Sequence, residues 1–192
     1  MAARAVFLVG FMASGKSSVG QELARRLDWD FVDLDARIES RERQTIPEIF
    51  RDRGESGFRL AETSALRDLT ESLERNTVIA LGGGAFVQPK NRELLRSWPS
   101  VFLEVPLDEL WRRSLEDPTE RPLRKDNLTE FARLYESRLP FYRQATMTVV
   151  TSGKDPASLC VEIERRLLFR ERNEAAASPR ATPDNFGTGE SQ

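Results

Sequence analysis

The chain has 192 residues, with 29 basic and 31 acidic side chains, one cysteine and no histidine. That length supports one domain with a core that needs neither disulfide nor metal, and the near-balanced charge excludes a broad nucleic-acid-binding face. Without histidine there is no Ser-His triad and no histidine metal site, so any general base has to be a carboxylate, a lysine or water.

The first apolar run, Val6–Val9, is read as a strand and leads into Gly10-Phe11-Met12-Ala13-Ser14-Gly15-Lys16-Ser17. This segment fits the phosphate-loop pattern G-x-x-x-x-G-K-[ST], and a helical pattern over Ser17–Leu27 follows it. A strand that ends, a backbone that wraps an anion and a helix N-terminus aimed at the charge form a nucleotide cradle. Gly10 and Gly15 remove Cβ atoms where the backbone closes, Lys16 brings a charge to the β/γ oxygens, and Ser17 offers a hydroxyl to Mg²⁺. A chance glycine-serine turn before a helix is the plain alternative.

A second strand, Trp29–Val32, ends at Asp33-Leu34-Asp35. Two residues apart on extended chain, the two aspartates share a face at the ligand edge of the sheet, where one could hold Mg²⁺ through water and the other an acceptor hydroxyl. Equally, either could simply cap the helix containing Ile38. Phe58, Ala61, Ala65, Leu66, Leu69 and Leu73 then draw one buried stripe along a helix over Phe58–Arg75. Arg59 stands at its start, where the dipole disfavours a cation, so a compensating anion is expected, either a ligand carboxylate or the neighbours Glu55 and Glu62.

The third strand, Val78–Leu81, closes on Gly82-Gly83-Gly84, a stretch that allows close backbone approach to a substrate or merely a tight turn. A helix over Asn91–Ser97, a strand over Val101–Val105 and a helix over Leu107–Leu115 follow. The charged, proline-containing stretch from Asp117 to Asp126 reads as a mobile loop whose Arg121 and Arg124 could close over phosphates. Further helices over Thr129–Arg138 and Pro156–Arg170 flank a strand at Met147–Val150. Arg138 ends its helix just before Pro140, a placement that suits a cation structurally. Cys160 falls in an apolar helical pattern as core filler. Asn173 to Gln192 shows no apolar period and is read as a disordered tail. Strand–helix alternation of this kind gives an α/β fold, a parallel sheet with helices on both faces and ligands at the carboxyl ends of the strands. With no signal-peptide pattern and no apolar stretch near 18 residues, the expectation is a cytoplasmic protein without membrane or nucleic-acid partners.

Taken in order from about Val6 to Leu168, these pieces resemble the shikimate kinase family. The matching series is the loop at Gly10–Ser17, D-x-D at Asp33–Asp35, the Ile-Pro-Glu-Ile-Phe run ending at Phe50, and G-E-x-x-F-R at Gly54–Arg59 with Glu62 beyond it. It continues with Gly82–Gly84, R-P-L at Arg121–Leu123 and R-x-P-x-Y at Arg138–Tyr142.

The resemblance implies a monomeric P-loop kinase with a five-stranded parallel sheet, a domain over residues 1–172, a substrate-binding segment near 36–62 and a lid near 116–127. It implies ATP- and Mg²⁺-dependent phosphorylation of the 3-hydroxyl of shikimate in aromatic amino acid biosynthesis. By position, Gly10, Phe11, Met12, Ala13, Ser14, Gly15, Lys16, Ser17 and Ser18 would hold ATP, with Arg113 and Pro156 on either side of the adenine and Arg121 reaching the phosphates. Ser17, and Asp33 through water, would hold Mg²⁺. Asp35 would hold the acceptor hydroxyl as candidate base, while Arg59, Arg138 and Gly82, Gly83 and Gly84 would hold shikimate and Glu62 would orient Arg59. The chain departs from the pattern at Ala13, often glycine and tolerable if φ stays negative, at Leu81, usually threonine or serine, and at Arg124, usually apolar. A gluconate-type kinase and a non-catalytic nucleotide-binding protein are the competing readings.

Overall fold

The structure is a computed structural model that describes residues 4–116 and 127–177. Its elements run β1 (Ala5–Val9), α1 (Lys16–Leu27), β2 (Asp30–Asp33), α2 (Leu34–Glu42), α3 (Ile46–Glu71), β3 (Thr77–Ala80), a 3-10 turn (Ala85–Val87), α4 (Pro89–Leu94), β4 (Ser100–Glu104), α5 (Leu107–Glu116), α6 (Leu128–Tyr142), β5 (Met147–Val150) and α7 (Pro156–Ala177). The strands form a five-stranded sheet in the order β2-β3-β1-β4-β5, with every pairing parallel. This is the architecture that the alternation of strands and helices predicts.

The two-residue period of the strands sorts the core into two layers. Phe7, Val9, Ile79, Leu81 and Phe102 point to one face, where they meet Leu66 and Leu69 of α3 and Phe131, Tyr135 and Tyr142 of α6. Val6, Leu8, Val78, Val101 and Leu103 point to the other, where Val19, Leu23 and Ala24 of α1 and Leu159, Cys160, Ile163 and Leu167 of α7 cover them. Cys160 is buried there as filler, its thiol pushed up to about 11 by burial. No helix among the described residues is long and apolar enough to cross a membrane.

Register is what builds the functional edge. Leu8 and Asp33 both pair with Ala80, so the carboxyl ends of β1, β3 and β2 finish level. The phosphate loop after β1, the glycine triplet after β3 and Asp33 at the end of β2 therefore sit side by side, with the triplet between the other two.

Several boundaries differ from the sequence expectation for local reasons. The stretch after Asp33 is helix α2, so Asp35 lies in a first helical turn rather than on extended chain. Helix α3 begins well before Phe58, at a capping box in which Thr45 accepts from Glu48 N–H and the Glu48 side chain accepts from Thr45 N–H, with proline in the first turn. It is interrupted at Gly54, whose φ of 66° and ψ of −178° lie where only glycine sits easily. Helix α4 starts at Pro89, earlier than expected, and α6 runs through Pro140 to Tyr142, so Arg138 is inside its helix and not at the end. Burial of Tyr142 against the sheet outweighs the backbone bond that Pro140 forfeits. Helix α7 continues to Ala177, past the start of the expected tail at Asn173, and the rest of that tail lies outside the described residues.

Candidate functional site

The phosphate loop is built as its spelling requires. Gly15 caps α1 with φ 84°, and Gly10 (φ 155°) sits so tightly that a Cβ there would stand 3.1 Å from the Leu103 carbonyl. Ala13, however, has φ 60°, so the condition of a negative φ for an easily tolerated methyl is not met. Its methyl is held in the left-handed region that glycine enters freely. Phe11 turns its ring into the core, edge-on to Phe131 and Tyr135, while its carbonyl accepts from Lys16 Nζ at 2.8 Å. Ser14, within the loop, is buried.

Asp33 takes the capping role and also reaches the phosphate loop. Its Oδ1 caps α2 by accepting from Asp35 N–H at 3.0 Å, and its Oδ2 accepts from Ser17 Oγ at 2.7 Å. The cap and the link to the phosphate loop use different oxygens of one carboxylate. Asp35, one residue into α2, turns toward the triplet.

These groups line a cavity of about 680 Å³, together with Met12, Ala13, Gly15, Lys16, Ser18, Arg59, Glu62, Arg113 and Arg138. The triplet is its floor, and each missing side chain makes room for a different partner. A Cβ on Gly82 would stand 2.5 Å from Asp35 Oδ1 and 3.1 Å from Glu62 Oε1, and one on Gly84 would stand 2.6 Å from Arg59 Cζ. At Gly83 it would come 3.4 Å from the backbone nitrogen of Met12, in the phosphate loop. The triplet thus admits the protein's own charged side chains.

Arg59 has both of the neighbours that its sequence position offered. Glu62 accepts twice from Nη1, at 3.0 and 2.8 Å, and Glu55 accepts from Nε at 3.3 Å and Nη2 at 3.2 Å. The Glu62 side chain is 0% exposed and the Glu55 side chain 54%, so Glu62 is the fixed support and Glu55 the solvent-side partner. Burial raises Glu62 to about 7; Arg59 pulls the other way, and nearby Asp35 adds to the rise. Burial works against the charge of Arg59, but Glu62 and Glu55 together raise its pKa above the ordinary guanidinium value. Arg138, buried, donates from Nη1 to the Gly83 carbonyl at 3.3 Å and lies over the Phe11 ring at 5.7 Å.

Arg113 pairs with Glu109 and comes within 3.8 Å of where a Cβ on Gly15 would be, beside the phosphate loop. Pro156 is not brought to the cavity: it opens α7 at an exposed position. Arg121 and Arg124, with residues 117–126 of the expected lid, lie outside the described residues. Leu81 is buried and lines the cavity as an apolar contact. Glu39, which the sequence reading did not name, and Ile46, Pro47 and Phe50, which it had only as part of the Ile-Pro-Glu-Ile-Phe run, also line the wall. Glu39 accepts from Ile46 N–H at 2.9 Å and ties α2 to α3. It stands four residues after Asp35, a spacing that points to the same face once α2 is known to be a helix.

The sequence model of the shikimate kinase family matches residues 12–168. The chain is 39% identical over 165 residues to the shikimate kinase of Persephonella marina, a match that spans 85% of this chain and 99% of that one. It is 42% identical over 152 residues to the shikimate kinase of Burkholderia lata, across 78% of this chain and 81% of the other. Among solved structures, the shikimate kinase of Acinetobacter baumannii in complex with shikimate superposes with a TM-score of 0.81 at 35% identity, covering 88% of this chain and 95% of that chain.

Two outcomes follow from the backbone of Ala13 and the burial of Glu62. Ala13→Gly relieves a left-handed methyl and should raise stability in urea by up to about 1 kcal/mol, the gain being trimmed by the freer unfolded chain; an unchanged or lower midpoint would refute the strain. Because folding lifts Glu62 from 4.5 to about 7, its proton favours the fold below about 4.5 and that advantage fades as pH climbs through 7. Relative to Glu62→Gln, the native protein should lose stability between about pH 5 and pH 8, by no more than about 3 kcal/mol. A difference that does not vary with pH would remove Glu62 as the titrating group.

Proposed function

The chain belongs to the shikimate kinase family, and we propose how its own residues carry a phosphoryl group from ATP to the 3-hydroxyl of shikimate, giving shikimate 3-phosphate. The observation that carries the reading is the charge arrangement over the triplet. Asp35 lies over Gly82 on the side of the phosphate loop and Asp33, while Arg59 lies over Gly84 and Arg138 beside Gly83. A small hydroxy acid fits such a site in one orientation, its carboxylate toward the guanidinium groups and a hydroxyl toward the carboxylate.

The phosphate loop, from Gly10 through Ser18, wraps the phosphates of ATP with backbone N–H groups and the α1 N-terminus. Lys16 swings from the Phe11 carbonyl to the β/γ oxygens. Ser17 Oγ and Asp33, already in contact at 2.7 Å at the mouth of this loop, are an oxygen pair that fits Mg²⁺, a hard cation that keeps several waters and takes few protein ligands. Bound there, Mg²⁺ would neutralise charge on the transferring phosphate. Asp35 accepts the hydrogen bond of the acceptor hydroxyl and aligns its oxygen with the phosphorus, taking the proton as the bond forms. Arg59, braced by Glu62, and Arg138 take the acceptor carboxylate, with the exposed Glu55 as the partner that Arg59 most readily exchanges. Arg113 stacks on the adenine, and Arg121 of the lid segment closes over the phosphates and excludes water. A cytoplasmic monomer is part of the same proposal.

A gluconate-type kinase on the same fold remains a distinct outcome, separated by ADP release with ATP and Mg²⁺ in the presence of shikimate, quinate, gluconate or no acceptor. Shikimate should accelerate release well above the rest, and equal turnover with gluconate would reassign the acceptor. Asp35→Asn should lower kcat by about 100-fold or more with little change in the KM for ATP, whereas Arg59→Ala should act mainly on the KM for shikimate. An intact kcat in Asp35→Asn would defeat its assignment as base.

A further inference from the structure

Tyr142 is fully buried, its ring stacked on Phe102 of β4 at 5.4 Å between centroids and 29° between planes. A phenylalanine would satisfy that packing. The hydroxyl is therefore the informative atom, because burying it is costly unless it finds a partner. It donates to the carbonyl of Gly83, the middle residue of the triplet. Arg138 stands one turn earlier on α6 and donates to the same oxygen. Burial pushes the phenol up to about 12, so it stays protonated and a donor throughout the working range.

Gly83 is where the two halves of the cavity meet, since a Cβ there would lie 3.4 Å from the Met12 nitrogen of the phosphate loop and 3.8 Å from Arg138 Nη1. Its flanking glycines seat Asp35 and Arg59, so a rotation of the Gly83 peptide would disturb both. Arg138 gives this peptide one long hydrogen bond, from Nη1 at 3.3 Å, so the peptide needs a further donor to be held firmly. Tyr142, fully buried among the core residues at the end of α6, can hold it without facing the cavity.

We propose that Tyr142 is a positioning residue for the acceptor: its hydroxyl fastens the Gly83 carbonyl to the sheet, so that the triplet stays in place and Arg138 keeps its donors directed into the cavity. This rests on the reading of Arg138 as a ligand of the acceptor carboxylate. Tyr142 touches neither substrate and acts through Gly83 and Arg138.

Four variants test it in steady-state kinetics with thermal unfolding alongside: Tyr142→Phe, Phe102→Leu, Arg138→Gln, and Tyr142→Phe combined with Arg138→Gln. Tyr142→Phe should raise the KM for shikimate about 5- to 10-fold, while the KM for ATP stays within about twofold and kcat within about threefold. Phe102→Leu unstacks the ring but keeps the hydroxyl; it should lower the melting temperature and leave the KM for shikimate within about twofold. In the Arg138→Gln background the added Tyr142→Phe should change that KM by less than about twofold, since the two act as a unit. An unchanged KM for shikimate in Tyr142→Phe, an equal rise in both KM values, or an equal effect from Phe102→Leu would overturn the proposal. If Arg138→Gln alone leaves the KM for shikimate unchanged, the carboxylate reading falls, and with it the route through Arg138.

Discussion

The site depends on three consecutive residues that have no Cβ. Charged side chains from α2 and α3, a buried arginine from α6 and the backbone of the phosphate loop all converge on Gly82–Gly84, and at Gly82 and Gly84 they come closer than a methyl group would allow. The triplet can serve this way because β3 lies between β1 and β2 and ends level with both. A side chain on Gly82 would displace Asp35 and Glu62, and one on Gly84 would displace Arg59. Such shifts would move the charged ends out of their present arrangement around the cavity.

Charge is segregated across that floor, and the segregation is held by burial. Glu62 lies between Arg59 and Asp35, supporting the cation while its burial and the nearby carboxylate both disfavour its own charge. Removing a charge pair from water is costly, and the twofold hydrogen bond from Arg59 to Glu62 offsets part of that cost. The result is an arginine whose direction is set before any ligand arrives, which lowers the entropy lost on binding. On the other side, Asp33 serves as helix cap and as partner of Ser17, so the start of α2 and the mouth of the phosphate loop move together.

Much of this was legible in order along the chain. The five strands, the phosphate loop and the motif series come from local patterns, and each needs only a few neighbouring residues to recognise. Helix α2 was harder to read because its nine residues are mostly polar, with Leu34 and Ile38 as its buried positions. The run of α6 through Pro140 was hidden because proline argues for a helix end, and only the burial of Tyr142 and Arg138 overrides it. The positive φ of Ala13 had no spelling at all, since alanine predicts the opposite. Pro156 was carried over by position along the chain, and its exposed place at the start of α7 keeps it out of the cavity.

By itself the sequence determined the fold class, the phosphate loop and the identity of most of the charged residues that line the cavity, because hydrophobic period, glycine spacing and charge type are properties of short stretches. Tertiary structure decided which atoms those residues use. Asp33 divides its two oxygens between a cap and a hydroxyl, Arg59 is braced by a buried rather than an exposed glutamate, and Gly83 is held by Tyr142 from 59 positions away. Those choices depend on strand register and on helices packed from distant parts of the chain, and neither is written in any local window of residues.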